Sequence, residues 1–172
     1  MNAEQQVELD QLRAELSLML ADGRMSIEEL KRFLLSYREY LVDCDASPFI
    51  PQGWTVESHQ RSGQFKLGRK SVTFYLSEQQ KKGSVISGHE FLKELSGKAV
   101  LNANVLDELL KHPEIIPEEW KDKNVFFWGT IYRRSRGDLC VLHLFWSGSA
   151  WRWFFSGLGH DFGPGHPAIL AS

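Results

Sequence analysis

The chain has 172 residues, 42% of them hydrophobic, with 20 Lys and Arg against 22 Asp and Glu. That length suits one domain with a sizeable core and a short helical extension. A formal charge of -2 at pH 7 gives no electrostatic reason to expect nucleic acid or an anionic membrane as partner, and no apolar run is long enough to span a bilayer.

Residues 4–20 read as an amphipathic helix. Leu9, Leu12, Leu16, Met19 and Leu20 share one face, and Val7 and Leu18 lie off it. Gly23 is placed to end that helix. Ser26 and Glu29 then have capping-box spacing for a second helix running to about Val42. Residues 1–45 are therefore expected to form a helical hairpin. The polar, acidic start MNAEQQVELDQLRAEL is no signal peptide. The only Cys residues, Cys44 and Cys140, lack CxxC spacing, so a reducing, cytoplasmic setting is expected.

Residues 46–62, with Pro48 and Pro51, read as a junction to a main domain covering residues 46–172. Gln64 to Leu67 and Ser71 to Leu76 flank Gly68-Arg69-Lys70, the signature of a β-hairpin. Short helices are expected over Gly88 to Leu95 and Asn104 to Lys111, the second stopping before Pro113. Val125 to Tyr132 is a β-branched and aromatic run, hence a buried strand. Arg133 to Asp138 is a turn, Leu139 to Trp146 and Ala150 to Phe155 are strands, and Ala168 to Ala171 is a short final strand. Helices followed by mostly antiparallel strands give an α+β fold.

Most chemical constellations reduce to structural roles. His160, Asp161 and His166 lack a third fixed ligand and a helix to align them, so no metal is expected. Cys140 and His143 are three apart in a strand and point to opposite faces. Cys44 has no neighbouring cation in sequence to activate it. Arg136-Gly137-Asp138 spells a hairpin tip, and Arg133, Arg134 and Arg136 read as solvated charges. No P-loop, catalytic triad, paired-carboxylate or dinucleotide motif stands in a usable context.

The last 34 residues differ from the rest. Leu139 to Ser172 contains Trp146, Trp151 and Trp153 but no Lys, Glu, Gln or Met, whereas the first 138 residues hold 35 of those four types. Chance alone would give such a tail roughly once in 20,000 draws. Burial would remove Lys and Glu from a strand, but Ser147-Gly148-Ser149 and residues 156–166 carry the Gly, Ser and Pro of exposed loop. The alphabet matches codons in which adenines have been rewritten. Randomising the first two bases of an AAY codon gives NNY, which cannot encode Lys, Glu, Gln, Met or Trp. Every residue from Phe154 to His166 is in the permitted set, and the Trp residues would be fixed.

Through FFWGTIYRR, LFWSGSAWRW and the ending HPAILAS, the segment Val125 to Ser172 resembles the variable proteins of diversity-generating retroelements. IPQGWTVESH and VLNANVLDELLKHPEIIPEEW carry the likeness into residues 47–120. The tail departs from the pattern in having no Asn and no Tyr, which fits an already diversified copy. In that family an error-prone reverse transcriptase rewrites a C-terminal segment displayed on a C-type lectin fold. The resemblance implies that fold here, with a hypervariable segment at about residues 141–167, prokaryotic or viral origin, and no catalysis. The implied partner is a protein or other macromolecular ligand, bound without cofactor or metal. On this reading the binding positions are His143, Phe145, Ser147, Ser149, Arg152, Phe154, Phe155, Ser156, Gly157, Gly159, His160, Phe162, Gly163, Gly165 and His166. Trp146, Trp151, Trp153 and Leu158 are the scaffold beneath them. Two other readings stand beside it: an enzyme similar to the formylglycine-generating class, which needs reactive cysteines, and an interaction adaptor acting through the helical hairpin.

Overall fold

The computed structural model describes residues 3–35, 39–68 and 71–172. It is an α+β protein that begins with two helices, α1 (Ala3–Ala21) and α2 (Ile27–Leu35). Gly23 adopts φ 75°, and the Met25 N–H bonds back to the Met19 carbonyl at 3.0 Å, so a left-handed glycine closes α1. The capping box is made in both directions. Glu29 N–H donates to Ser26 Oγ at 3.1 Å, and Ser26 N–H donates to Glu29 Oε2 at 2.7 Å. Val7 and Leu18 lie exposed, and so does Leu12 of the predicted apolar face, while Leu9, Leu16, Met19 and Leu20 are half-buried.

The second helix is shorter than its periodicity predicts. Tyr40–Asp43 is a strand, β1, not helix, and residues 36–38 lie outside the described residues. Alternation decides it: Val42 is buried between exposed Leu41 and Asp43, and Val42 and Cys44 enter the core. β1 pairs antiparallel with β3 (Gln64–Leu67). The predicted hairpin of Gln64–Leu67 with Ser71–Leu76 does not form. Both runs are strands, but β4 (Val72–Tyr75) pairs with β10 (Ala168–Ala171) instead. A local turn bond exists, Ser71 N–H to the Gly68 carbonyl at 3.1 Å, yet the strands leave it for different sheets. Local alternation sets a strand but not its partner. The predicted junction also holds structure, because β2 (Thr55–His59) joins the main sheet.

That sheet is built on β6 (Val125–Arg133), flanked by β7 (Leu139–Trp146), which pairs in turn with β8 (Trp151–Gly157). The order is β4-β10-β6-β7-β8, with β2 also on β6. All pairings are antiparallel except β10 with β6. Eight of the nine β6 residues are buried, which is why its sequence is a continuous apolar run. Its register shifts between Phe126 and Ile131, so inward parity flips across Gly129-Thr130. A Cβ on Gly129 would lie 2.9 Å from Asn102 backbone. Only glycine admits that approach.

The sheet has a core on each side. On one side, Phe127, Cys140, Leu142 and Leu144 pack with α5 (Ala103–Lys111) through Val105, Leu106 and Leu109. On the other, Phe126, Trp128, Ile131 and Val141 pack with Phe91 and Leu95, at and just beyond α4 (Gly88–Glu94), and with Leu158 and Phe162 from the tail. Asn102 ties loops to this frame. Its Nδ2 donates to the Cys44 and Gln60 carbonyls at 2.9 and 3.0 Å, and its Oδ1 caps α5 through Asn104 N–H at 3.1 Å.

Candidate functional site

The unusual tail forms the sheet's outer hairpin and the segment that follows it. β7 and β8 are paired from Cys140↔Gly157 to Trp146↔Trp151. Ser147 N–H and Oγ both bond the Ala150 carbonyl, at 3.0 and 2.8 Å, and Gly148 takes φ 88°, so the tip is a tight turn.

Alternation divides the hairpin into two faces. Leu144, Trp146, Trp151, Trp153 and Phe155 belong to the face that meets α5 and the loop around Phe49. Trp151 and Trp153 are half-buried rather than fully buried, because β8 is an edge strand and α5 covers only part of it. Trp153 meets Phe49 at 5.8 Å between ring centroids, and Phe155 meets Trp54 at 5.0 Å. Arg134 lies 4.7 Å over the Phe155 ring and pairs with Asp138 at 2.8 Å.

The opposite face carries three cross-strand pairs: Phe145 with Arg152, His143 with Phe154, and Val141 with Ser156. Phe154 is 55% exposed, Arg152 is exposed, and Phe145 is half-buried. Arg152 Nε donates to Ser147 Oγ at 3.3 Å, which draws its guanidinium toward the hairpin tip. An exposed Phe beside an Arg on a rigid strand offers contact area and directional donors at low entropic cost.

His143 sits beneath this surface, not on it. It is 7% exposed, with its ring 4.5 Å from Phe126 and 6.2 Å from Phe154. Burial, helped by nearby His166, pushes its pKa down to about 4, so at neutral pH it is an uncharged aromatic. Its Nδ1 is buried without a partner among the described residues. Cys140 lies on the other face of β7, as the spacing predicts. Burial raises its thiol to about 12 and also raises that of Cys44, so both stay protonated.

The segment after β8 is not the free loop its composition predicts. β9 (Asp161–Phe162) pairs with β5 (Ile86–Ser87), and Leu158 and Phe162 are buried at 0% and 1% exposure. Phe162 therefore belongs to the scaffold, since a side chain in the core cannot meet a ligand. Gly88 N–H donates to the His160 carbonyl at 3.0 Å, and a Cβ on Gly88 would lie 2.7 Å from Leu158 backbone. Buried Gln80, on α3 (Glu78–Lys81), donates from Nε2 to the Gly163 and His166 carbonyls at 2.8 and 3.1 Å. Gly163 N–H donates to His166 Nδ1 at 3.1 Å, and the His166 ring packs edge-on against Phe126 and Phe162. That leaves Gly159, His160 and Gly165 fully outside, and Ser156, Gly157, Gly163 and His166 half-buried. No group of three or more His, Cys, Asp and Glu among the described residues is arranged to hold a metal, and no helix there is long and apolar enough to cross a membrane.

The structure thus brings Phe145, Ser147, Ser149, Arg152, Phe154 and Ser156 together along one hairpin, with Gly159 and His160 beyond its end. Sequence reasoning missed the residues that hold this surface from below, Phe126, Gln80 and Gly88. The signal for Gln80 was present in Ser77-Glu78-Gln79-Gln80, a second capping box. Compared with known protein families, with curated proteins and with solved structures, the chain matches none.

Proposed function

We propose that this protein is a ligand-binding receptor of the kind diversified by retroelements, with a C-type lectin-like fold that displays rewritten residues to a macromolecular partner. One observation carries the reading. The segment free of Lys, Glu, Gln and Met covers the edge hairpin, the strapped turn after it and the short interior strand β10, and includes solvent-facing positions where Lys and Glu are ordinarily frequent. The Trp residues that NNY codons cannot supply, Trp146, Trp151 and Trp153, share the face turned toward α5 and the body.

In this account Arg152 and Phe154 provide the strongest contacts, Phe145 and Ser156 flank them, and Ser147, Ser149, Gly159 and His160 shape the ends. The buried contacts of Leu158, Phe162 and Gln80 hold the backbone while the exposed side chains change. Binding rather than catalysis fits, because rewritten side chains cannot keep a fixed acid–base geometry. Both thiols are buried and held protonated, unlike the reactive cysteines of a formylglycine-generating enzyme.

A displayed library tests the proposal. Randomising Phe145, Ser147, Ser149, Arg152, Phe154, Ser156 and His160 with NNY codons should yield folded variants that bind unrelated protein targets. Loss of folding across that library, with tolerance instead at Leu144, Leu158 and Phe162, would overturn it.

A further inference from the structure

The main sheet ends on one side in β8, which no further strand covers among the described residues. All seven residues of β8 pair with β7, from Trp146↔Trp151 to Cys140↔Gly157, without a bulge. The backbone bonds at either end fix the phase of this ladder. Ser147 N–H donates to the Ala150 carbonyl at 3.0 Å, and Leu158 N–H to the Leu139 carbonyl at 2.9 Å. Hydrogen-bonded and non-hydrogen-bonded pairs alternate between those ends. Arg152, Phe154 and Ser156 therefore turn their N–H and C=O groups toward β7. Trp151, Trp153 and Phe155 turn theirs away from it, and among the described residues these groups meet no hydrogen-bond partner.

Native sheets blunt such edges with Lys, Pro, bulges or very short strands. The opposite end of the sheet, β4, is short, at four residues. β8 has none of these devices. Its sequence, WRWFFSG, holds one charge, and Leu139 to Ser172 contains no Lys. An extended chain can add to this edge through main-chain bonds, the mode in which many domains take up peptides. Those bonds use no side chain of β8. They persist when Arg152, Phe154 and Ser156 are rewritten, while the side chains beside them reset selectivity.

The two faces of the edge decide what adds to it. Residues opposite one another on neighbouring strands share a face. A residue opposite Arg152 lies beside an exposed guanidinium that pairs with no carboxylate among the described residues and donates only to Ser147 Oγ, at 3.3 Å. A residue opposite Trp153 lies on the apolar face, where Trp153 meets Phe49. The complement is a strand in which acidic and apolar residues alternate. A second copy of β8 offers Arg152 no carboxylate.

We propose that β8 takes up an extended, acidic segment of a protein partner as an added strand, acidic side chains beside Arg152 and apolar ones beside Trp153. The inference rests on reading this hairpin as the diversified surface, and it names how the partner is held. The preference for acid belongs to this copy, through Arg152, whereas strand addition belongs to the backbone.

Amide exchange read residue by residue by NMR on the full chain is the test, with a blocked octapeptide alternating Glu and Val as probe. In the free chain the Arg152 and Phe154 amides should be protected, and the Trp153 and Phe155 amides open to exchange. The peptide should bind with Kd on the order of 1 mM or tighter and at saturation slow exchange at Trp153 and Phe155 at least about tenfold. N-methylating alternate peptide nitrogens blocks one edge of the peptide. Of the two alternately methylated forms, one should bind like the parent and the other should not bind, because a single edge faces β8. A Lys–Val peptide should bind about fivefold more weakly, and Arg152→Glu, at an exposed position, should reverse that order. No added protection at Trp153 and Phe155, equal binding of the two methylated forms, or a charge order unmoved by Arg152→Glu would overturn the proposal. So would a chain that is dimeric without peptide and already protected at Trp153 and Phe155, since a second copy then holds the edge. None of these results bears on whether the tail is rewritten, which the DNA around the gene decides.

Discussion

His143 and Phe154 stand opposite each other on β7 and β8, ring centroids 6.2 Å apart, one 7% and the other 55% exposed. A single cross-strand pair thus joins core to surface. The chain Phe126–His143–Phe154 runs from the centre of the sheet to its edge, so Phe154 rests on a packed column of rings. An exposed aromatic held this way loses little freedom on binding.

The first prediction concerns pH. The folded-state pKa of His143 is pushed down to about 4 by burial, against about 6.5 in an unfolded chain. The unfolded state therefore binds the extra proton between those values. Stability is complete above about pH 6.5 and is lost as pH falls toward 4, by about 3 kcal/mol in all. His166, also lowered by burial, adds in the same direction. Urea midpoints measured from pH 4 to 7.5 should rise with pH in the native chain and flatten in His143→Phe; equal slopes in both would refute the assignment.

The second prediction separates two histidines that composition groups together. His160 is exposed, so His160→Ser should change stability by less than about 0.5 kcal/mol. His166 accepts the Gly163 N–H and packs on Phe126 and Phe162. His166→Ser should cost about 1–2 kcal/mol. Thermal melts of the two variants that coincide would place both in the same mobile loop.

A third prediction tests the strap. Gly88→Ala places a methyl 2.7 Å from Leu158 backbone, in a contact between backbone segments that cannot yield easily. A loss of about 1–3 kcal/mol is expected, with faster exchange of the residue 88 amide, whose N–H the His160 carbonyl accepts. A neutral effect would mean the turn after β8 is not pinned to α4.

The fourth contrasts neighbours on β8. Phe154→Ser should leave the melting temperature nearly unchanged, whereas Trp153→Ala, packed on Phe49 and half-buried, should cost about 2–4 kcal/mol. Circular-dichroism melts decide the order, and the reverse order would mean that surface and scaffold have been exchanged.

The strands from Val125 to Phe155 were legible because an apolar run and alternation report burial directly, and Arg133–Asp138 carries its turn in composition. The helix ending at Lys111 was legible from the Pro113 that follows it, whereas the caps at Ser87 and Asn102 emerge only in the structure. Partnership was not. Gln64–Leu67 and Val72–Tyr75 flank a turn, and only the distant positions of β1 and β10 assign them to separate sheets. The parity flip in β6 depends on a backbone approach between Gly129 and Asn102 that no local pattern records. At the surface, the tail's alphabet falls on the edge hairpin, but Gly and Pro content concealed that residues 158–166 are pinned by Gly88 and Gln80. His143 and Phe162 carry residue types permitted in a rewritten segment, yet the structure buries both. Composition reports the segment, and only tertiary contact reports the side.

The central claim is that the tail is rewritten at adenines, and the DNA flanking this chain's gene tests it most directly. The account predicts a reverse-transcriptase gene nearby and a second copy of the sequence encoding about residues 141–167. That copy should carry adenines wherever the two differ, with AAY codons concentrated at positions such as Arg152, Phe154 and His160 and none at Trp146, Trp151 or Trp153. A flanking region without such a copy, or one whose differences fall on all four bases alike, would contradict it.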